Sequence, residues 1–239
     1  MVTLYLILAH MIGDYALQTG EIVRYKAEGW PGLLLHITIV TLVSGVLVMG
    51  MFPYWWAWVI VLGVLHLLID QYRTFRARNL RPSLSLLYLL FDQVVHFVTI
   101  FTIAYAGARE TPADFWQALH QPLNPTVFWL LLLIMAIFLV WTAAVLEMEV
   151  VRAFSGRCKI PPPSGILLLD RLFGAIERLA AVALLLSPLP ALYLIAFLPR
   201  LLWRLRNNSE QGSVWNCGIR MTVSVLSATG VGLFFRWLY

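Results

Sequence analysis

The sequence predicts an all-α bundle of about eight transmembrane helices with both termini on the outer face. Three observations predict it. Hydrophobic residues make up 61% of the 239 positions, charged residues make up only 12%, and the mean hydropathy is +0.81. A soluble domain carries roughly twice that charged fraction, so a water-facing surface cannot be built from this inventory. Ten Trp, nine Tyr and thirteen Phe supply side chains suited to the lipid–water boundary.

About 20 mostly apolar residues cross about 30 Å of hydrocarbon as a helix. Such runs cover 1–19, 33–52, 54–72, 84–106, 126–148, 166–186, 188–205 and 219–238. The first is not a cleaved signal peptide: it lacks a basic start and a small-residue cleavage site, and it contains His10 and Asp14. Only Ser187 to Pro190 separate the sixth and seventh runs, which suits a tight helical hairpin. The chain divides into a four-helix membrane domain over 1–106, an outer loop over 107–125 and a second four-helix half over 126–239. The outer loop, with Glu110, Asp114, Trp116 and a solvated His120, reads as a short interfacial helix.

Lys and Arg set the orientation. Arg24, Lys26, Arg73, Arg76, Arg78, Arg81, Arg152, Arg157, Lys159, Arg200, Arg204, Arg206 and Arg220 fall on alternate connections, against Arg109 and Arg236 on the other side. That places the basic connections in the cytoplasm and explains the net charge of +5 as a topology signal, not a nucleic-acid surface. Phe52, Tyr54, Trp55, Trp56 and Trp58 form an aromatic belt at the outer boundary. Cys158 and Cys217 fall on the reducing side, so no disulfide framework is expected.

The chemistry concentrates in the first four runs. They contain His10-x-x-x-Asp14, His66-x-x-x-Asp70 and Asp92-x-x-x-His96, with His36 near the start of the second. A spacing of four puts both side chains on one helical face, one turn apart. Although the helices alternate in direction, all seven groups fall in the inner half of the bilayer. Gln18 and Arg73 extend the first two stripes, and Tyr88 extends the last. Ionisable groups at that depth cost about 2.5–3.5 kcal/mol each on insertion scales, so they face the bundle interior. Imidazole and carboxylate together suit Zn, Mn or Fe. On this reading His10, Asp14, His36, His66, Asp70, Asp92 and His96 are metal ligands, with Asp14, Asp70 and Asp92 available as general bases. A polar packing network and a proton or ion pathway are the alternatives.

The sixth run carries Asp170-Arg171-Leu-Phe-Gly174-Ala-Ile-Glu177-Arg178. It reads either as an internal ion pair, Asp170 or Glu177 with Arg178 or Arg171, or as a phosphate- or carboxylate-binding element. Glu147 and Glu149, at the end of the fifth run, are expected to meet Arg152 at the surface, and Pro161-Pro162-Pro163 to form a stiff linker. No phosphate-binding Gly-rich loop, Ser-centred elbow or Cys pair is present.

His10-Met-Ile-Gly-Asp14-Tyr-Ala-Leu-Gln18, Lys26, His36, His66-Leu-Leu-Ile-Asp70 and Asp92-Gln93-Val-Val-His96 resemble a bacterial integral-membrane family, domain of unknown function 3307, over about the first 105 residues. Longer members of it carry a Gly-x-x-Glu-Arg element similar to Gly174–Arg178. The same pattern is similar, more loosely, to the membrane-bound metal-dependent hydrolases. The reading is a metal-dependent hydrolase in a bacterial inner membrane, open to the cytoplasm. A lipid or lipid-linked phosphate is the expected substrate, held by Arg73, Arg171, Arg178, Glu177 and Gln18. The rivals are a proton or metal-ion transporter and a non-catalytic membrane scaffold. The sequence does not fix the oligomeric state.

Overall fold

The computed structural model describes residues 1–76, 81–121, 124–155, 165–206 and 214–239, and among these it is entirely helical, without strands. The Arg78, Arg157, Cys158, Lys159 and Pro161–Pro163 readings lie outside the described residues. Two compact units are formed, one by residues 1–80 and 87–137, the other by 81–86 and 138–239.

The first unit begins with α1, Val2–Met11, which continues as one π-helical turn over Ile12–Ala16. A short α2, Gly20–Glu28, follows, capped by the Thr19 hydroxyl. Then come α3, Trp30–Val48, α4, Trp55–Arg76, and α5, Pro82–Ala108. After α6, Pro112–Leu119, helix α7 spans Pro125–Ile137.

Periodicity places the side chains. On α5, Asp92, His96, Ile100 and Ile103 are buried, whereas Leu87, Phe91, Val94 and Val98 on the opposite face are each about 60% exposed. A wide exposed apolar stripe facing a buried mixed stripe suits a helix with lipid on one side and protein on the other. Five helices are long and apolar enough to cross a membrane: Trp30–Val48, Trp55–Phe75, Pro82–Ala108, Pro125–Phe154 and Trp215–Leu238. Val2–Ala16 is apolar but shorter.

Chain direction alternates, so one end of α1, α3, α4 and α5 collects the core of Val2, Leu6, Val48, Leu62, Ile100 and Ile103. The other end collects the His and Asp residues. At the apolar end Glu110 accepts the Thr3 N–H at 3.0 Å, a carboxylate on the positive end of α1. The expected interfacial helix is α6. Its N-cap Thr111 gives both its N–H and its hydroxyl to Asp114 Oδ2, at 2.8 and 2.7 Å. Those bonds hold the Asp114 carboxyl below its ordinary range.

In the second unit a π-helical turn, Phe138–Thr142, leads into α8, Ala143–Ser155. Helix α9 spans Gly165–Leu186. The stretch read as one helix over 188–205 is instead a 3-10 helix, Pro190–Phe197, followed by α10, Leu198–Arg206. Pro199 lacks an N–H and crowds the carbonyl four residues back, so a continuous α-helix cannot pass that point undisturbed. The last helix, α11, spans Val214–Leu238.

Candidate metal centre

Five elements of the first unit bring the seven expected residues together, and all seven are buried. His10 comes from α1, Asp14 from the π-helical turn, His36 from α3, His66 and Asp70 from α4, and Asp92 and His96 from α5. The π turn widens the helix by one residue, which re-aims Asp14 relative to a regular α1; such turns recur at functional sites. His66 Nε2 lies 3.2 Å from Asp14 Oδ1 and 3.6 Å from Asp70 Oδ2. His36 Nε2 lies 3.4 Å and 3.1 Å from the same two oxygens. His96 Nε2 is 4.0 Å from Asp70 Oδ1, and His10 Nδ1 is 3.8 Å from Asp14 Oδ2. The His66 and His96 rings are 4.3 Å apart, and His10 stacks on His96 at 4.9 Å.

Closeness is not pairing here. Among the described residues Asp14 Oδ1, His36 Nε2, His66 Nε2, Asp92 Oδ1 and His96 Nε2 are buried without a hydrogen-bond partner. A buried unsatisfied polar atom costs about 1–3 kcal/mol, a cost that an ion shared by these atoms would offset. Ligands around a shared ion lie at such distances without bonding to each other. A tetrahedral ion with 2.0–2.1 Å bonds sets its ligand atoms about 3.3–3.4 Å apart. Four of the six edges among Asp14 Oδ1, Asp70 Oδ2, His36 Nε2 and His66 Nε2 are the 3.1–3.6 Å separations above.

Neighbours fix the rings. His96 Nδ1 donates to the Asp92 carbonyl at 2.8 Å, and since a carbonyl only accepts, the neutral ring has its lone pair on Nε2. Gln93 gives its amide N–H to Asp92 Oδ2 at 3.1 Å and presents its oxygen to His10 Nε2 at 3.3 Å. His10 therefore carries its proton on Nε2, and Nδ1 faces Asp14 as an acceptor. Bonds of this kind orient imidazoles at metal centres. The overlapping groups His10–Asp14–His66, His36–His66–Asp70 and Asp70–Asp92–His96 each place ligand atoms within 4.8 Å of one another.

Two cations border the centre. Arg73 Nη1 bonds Asp92 Oδ2 at 3.1 Å. Lys26, read in the sequence as a basic connection, is buried and donates to Asp70 Oδ2. Gly32 explains its placement, since a Cβ there would lie 2.1 Å from the Tyr25 carbonyl. Only glycine lets α2 lie backbone-to-backbone on α3 and carry Lys26 inward. Gln18 sits half-buried in the turn before α2 and, among the described residues, makes no hydrogen bond to the cluster. Tyr88 stacks near Tyr72, at 6.1 Å. A small cavity meets the imidazoles of His10, His66 and His96 and is otherwise walled by Val40, Leu62 and Ile100, with Ser44 and Thr99 turning their hydroxyls to their own helices.

The second unit holds a different polar centre. Arg178 does not pair within its own helix: it donates to Glu147 at 2.6 Å, to Ser224 at 3.0 Å, and through Nε to the Leu139 carbonyl of the π turn at 2.6 Å. Glu177 and Glu147 both bond Arg200. Asp170 accepts from Arg200, Arg204 and Arg220. The expected intrahelical pair is thus replaced by a network across helices. Glu147 is buried rather than at the surface, and only Glu149 meets Arg152, at 3.5 Å. Gly174 makes room for it, because a Cβ would lie 2.7 Å from Arg200 Nη1. Arg171 contacts the Met148 sulfur. Arg200 and Arg204 had been read as surface charges; both are buried, spent on internal pairing.

The class is therefore an all-helical protein with membrane-length spans and a buried His/Asp cluster in its N-terminal unit. Residues 2–124, just over half of the chain, match the family described as protein of unknown function (DUF3307), and the chain belongs to that family. No curated protein and no solved structure matches it.

Proposed function

We propose that the chain is a metal-dependent membrane hydrolase whose ion is held by Asp14, His36, His66 and Asp70, with His10, Asp92 and His96 completing the set. The supporting observation is a group of four buried ligand atoms, three of them without a hydrogen-bond partner among the described residues, four of whose six separations match the edges of a tetrahedron around Zn, Mn or Fe. A bound divalent ion supplies a hydroxide nucleophile near neutral pH. Asp92 Oδ1, unpartnered beside His96, is the general base of this reading.

The proposal extends to eight spans with both termini outside, the polar end of the first unit facing the cytoplasm of a bacterial inner membrane. Domain 1–106 carries the chemistry, and Arg73 at its edge meets a lipid or lipid-linked phosphate. Glu177 and Arg178 belong to the second unit's own network, and Arg171 meets the Met148 sulfur there.

The Lys26–Asp70 ion pair favours a second reading, a proton relay in which lysine is the resident cation. Elemental analysis of chain purified in detergent without chelators separates the two. Stoichiometric metal, lost in His66→Ala while the helices persist, supports the hydrolase. Wild-type protein that takes up no Zn, Mn or Fe overturns it in favour of the relay.

A further inference from the structure

We infer that the second unit carries an oxyanion-binding site of its own at Arg204 and Arg220. It lies at the edge of the network described above and does not depend on the metal reading. The deep part of that network is balanced: Arg178 and Arg200 face Glu147 and Glu177. The outer part is not. Arg204 and Arg220 share Asp170, which Arg200 also bonds, and Arg204 has only a distant second carboxylate, Glu147 Oε2 at 4.0 Å; four guanidiniums thus face three carboxylates.

Arg204 grips Asp170 by two bonds of 2.8 Å, from Nε and Nη2. Its Nη1, on a side chain only 3% exposed, has no partner among the described residues. Arg200, by contrast, uses all three of its nitrogens. Arg178 Nη2 and Glu177 Oε2 in the deep part also lack partners among the described residues, but there two guanidiniums face two carboxylates and the charges cancel. Here a buried guanidinium keeps an unused donor beside a second guanidinium with a surplus charge. Arg220 is bonded to the same Asp170 oxygen at a long 3.5 Å, and its side chain is 22% exposed, so a ligand can reach the pair from outside.

Guanidinium forks match planar or tetrahedral oxyanions, above all phosphate, better than they match a spherical ion. The ligand is thus a phosphate group, either of a free anion or of a lipid headgroup.

Thermal unfolding of the full chain, followed by Trp fluorescence in detergent, tests this with sodium phosphate against sodium chloride at equal ionic strength. Wild type is expected to show a saturable rise in Tm with phosphate alone. Arg220→Gln, at the rim, should keep the phosphate-free Tm and need at least about tenfold more phosphate, the loss of one charged hydrogen bond. Arg204→Lys, which keeps the charge and loses the fork, should be weakened as well. Should Arg220→Gln not fold, Arg220→Lys carries the same comparison. In nanodiscs, phosphatidate against diacylglycerol separates the sources: stabilisation by phosphatidate without any by inorganic phosphate assigns the site to a lipid headgroup. If neither phosphate source raises Tm saturably, or both variants respond like wild type, the site does not exist.

Discussion

His66 belongs to two of the three groups able to hold an ion, so it is the position at which ligand and packing roles separate most cleanly. His66→Ala is expected to abolish metal content while the helices persist. A variant with no metal to lose that instead costs about 0.6–1.7 kcal/mol, the scale of an intramembrane hydrogen bond, would assign His66 to packing; elemental analysis and unfolding of one sample check both. Gln93→Leu leaves every ligand in place and removes the oxygen facing His10 together with the amide N–H given to Asp92. It should weaken metal binding about 10–100-fold, measured by competition with a chromogenic chelator. Lys26→Met removes the cation that competes for Asp70. It should tighten the same constant roughly tenfold, about the worth of one charged hydrogen bond; weaker binding would make Lys26 a support rather than a competitor. The His and Asp residues were legible in the sequence because a spacing of four in an apolar run has few other meanings. Lys26, Glu147, Arg200 and Arg204 were not. Each borders a charged connection, where local pattern cannot distinguish a surface charge from one turned inward by a distant helix.

At the scale of elements, the helices that position the cluster follow from apolar length, and their ends differ from the sequence reading by a few residues. The π turns at Asp14 and Leu139 do not, since a one-residue widening leaves no mark on hydrophobic periodicity. Nor does the 3-10 stretch before Pro199, whose composition is that of an ordinary span. Two glycines carry the element-level tests. Gly32→Ala would set a methyl 2.1 Å from the Tyr25 backbone, and backbone cannot yield as a side chain can. It should cost at least about 1–3 kcal/mol and loosen α2, seen as faster hydrogen exchange over Gly20–Glu28. At Gly174 the obstacle is the tip of Arg200. Gly174→Ala should therefore cost less than Gly32→Ala in the same unfolding assay, with its exchange effects in α9 and α10.

At the scale of the whole molecule, the position of the His/Asp centre relative to the two membrane faces follows from helix length and charge. Val2–Ala16 has 15 residues, about 22 Å of helix against about 30 Å of hydrocarbon. Its polar end thus stops short of one surface, and α2, with Val23, Tyr25 and the adjoining Trp30 exposed, is suited to lie along that surface. The basic residues argue that this surface is cytoplasmic, but Lys26, Arg200 and Arg204 are buried and ion-paired, so they cannot be counted as free loop charges. Ten of the thirteen remain, against two on the other side, and the bias keeps its direction. The test uses chain with Cys158 and Cys217 replaced by Ser and one new cysteine at a time. Val23→Cys should react with a membrane-impermeant maleimide only after cells are opened. Met49→Cys, exposed between α3 and α4, should react in intact cells. The reverse pattern would turn the bundle over and point the His/Asp centre outward, removing the cytoplasmic substrate from the proposal while leaving the geometry of the centre untouched.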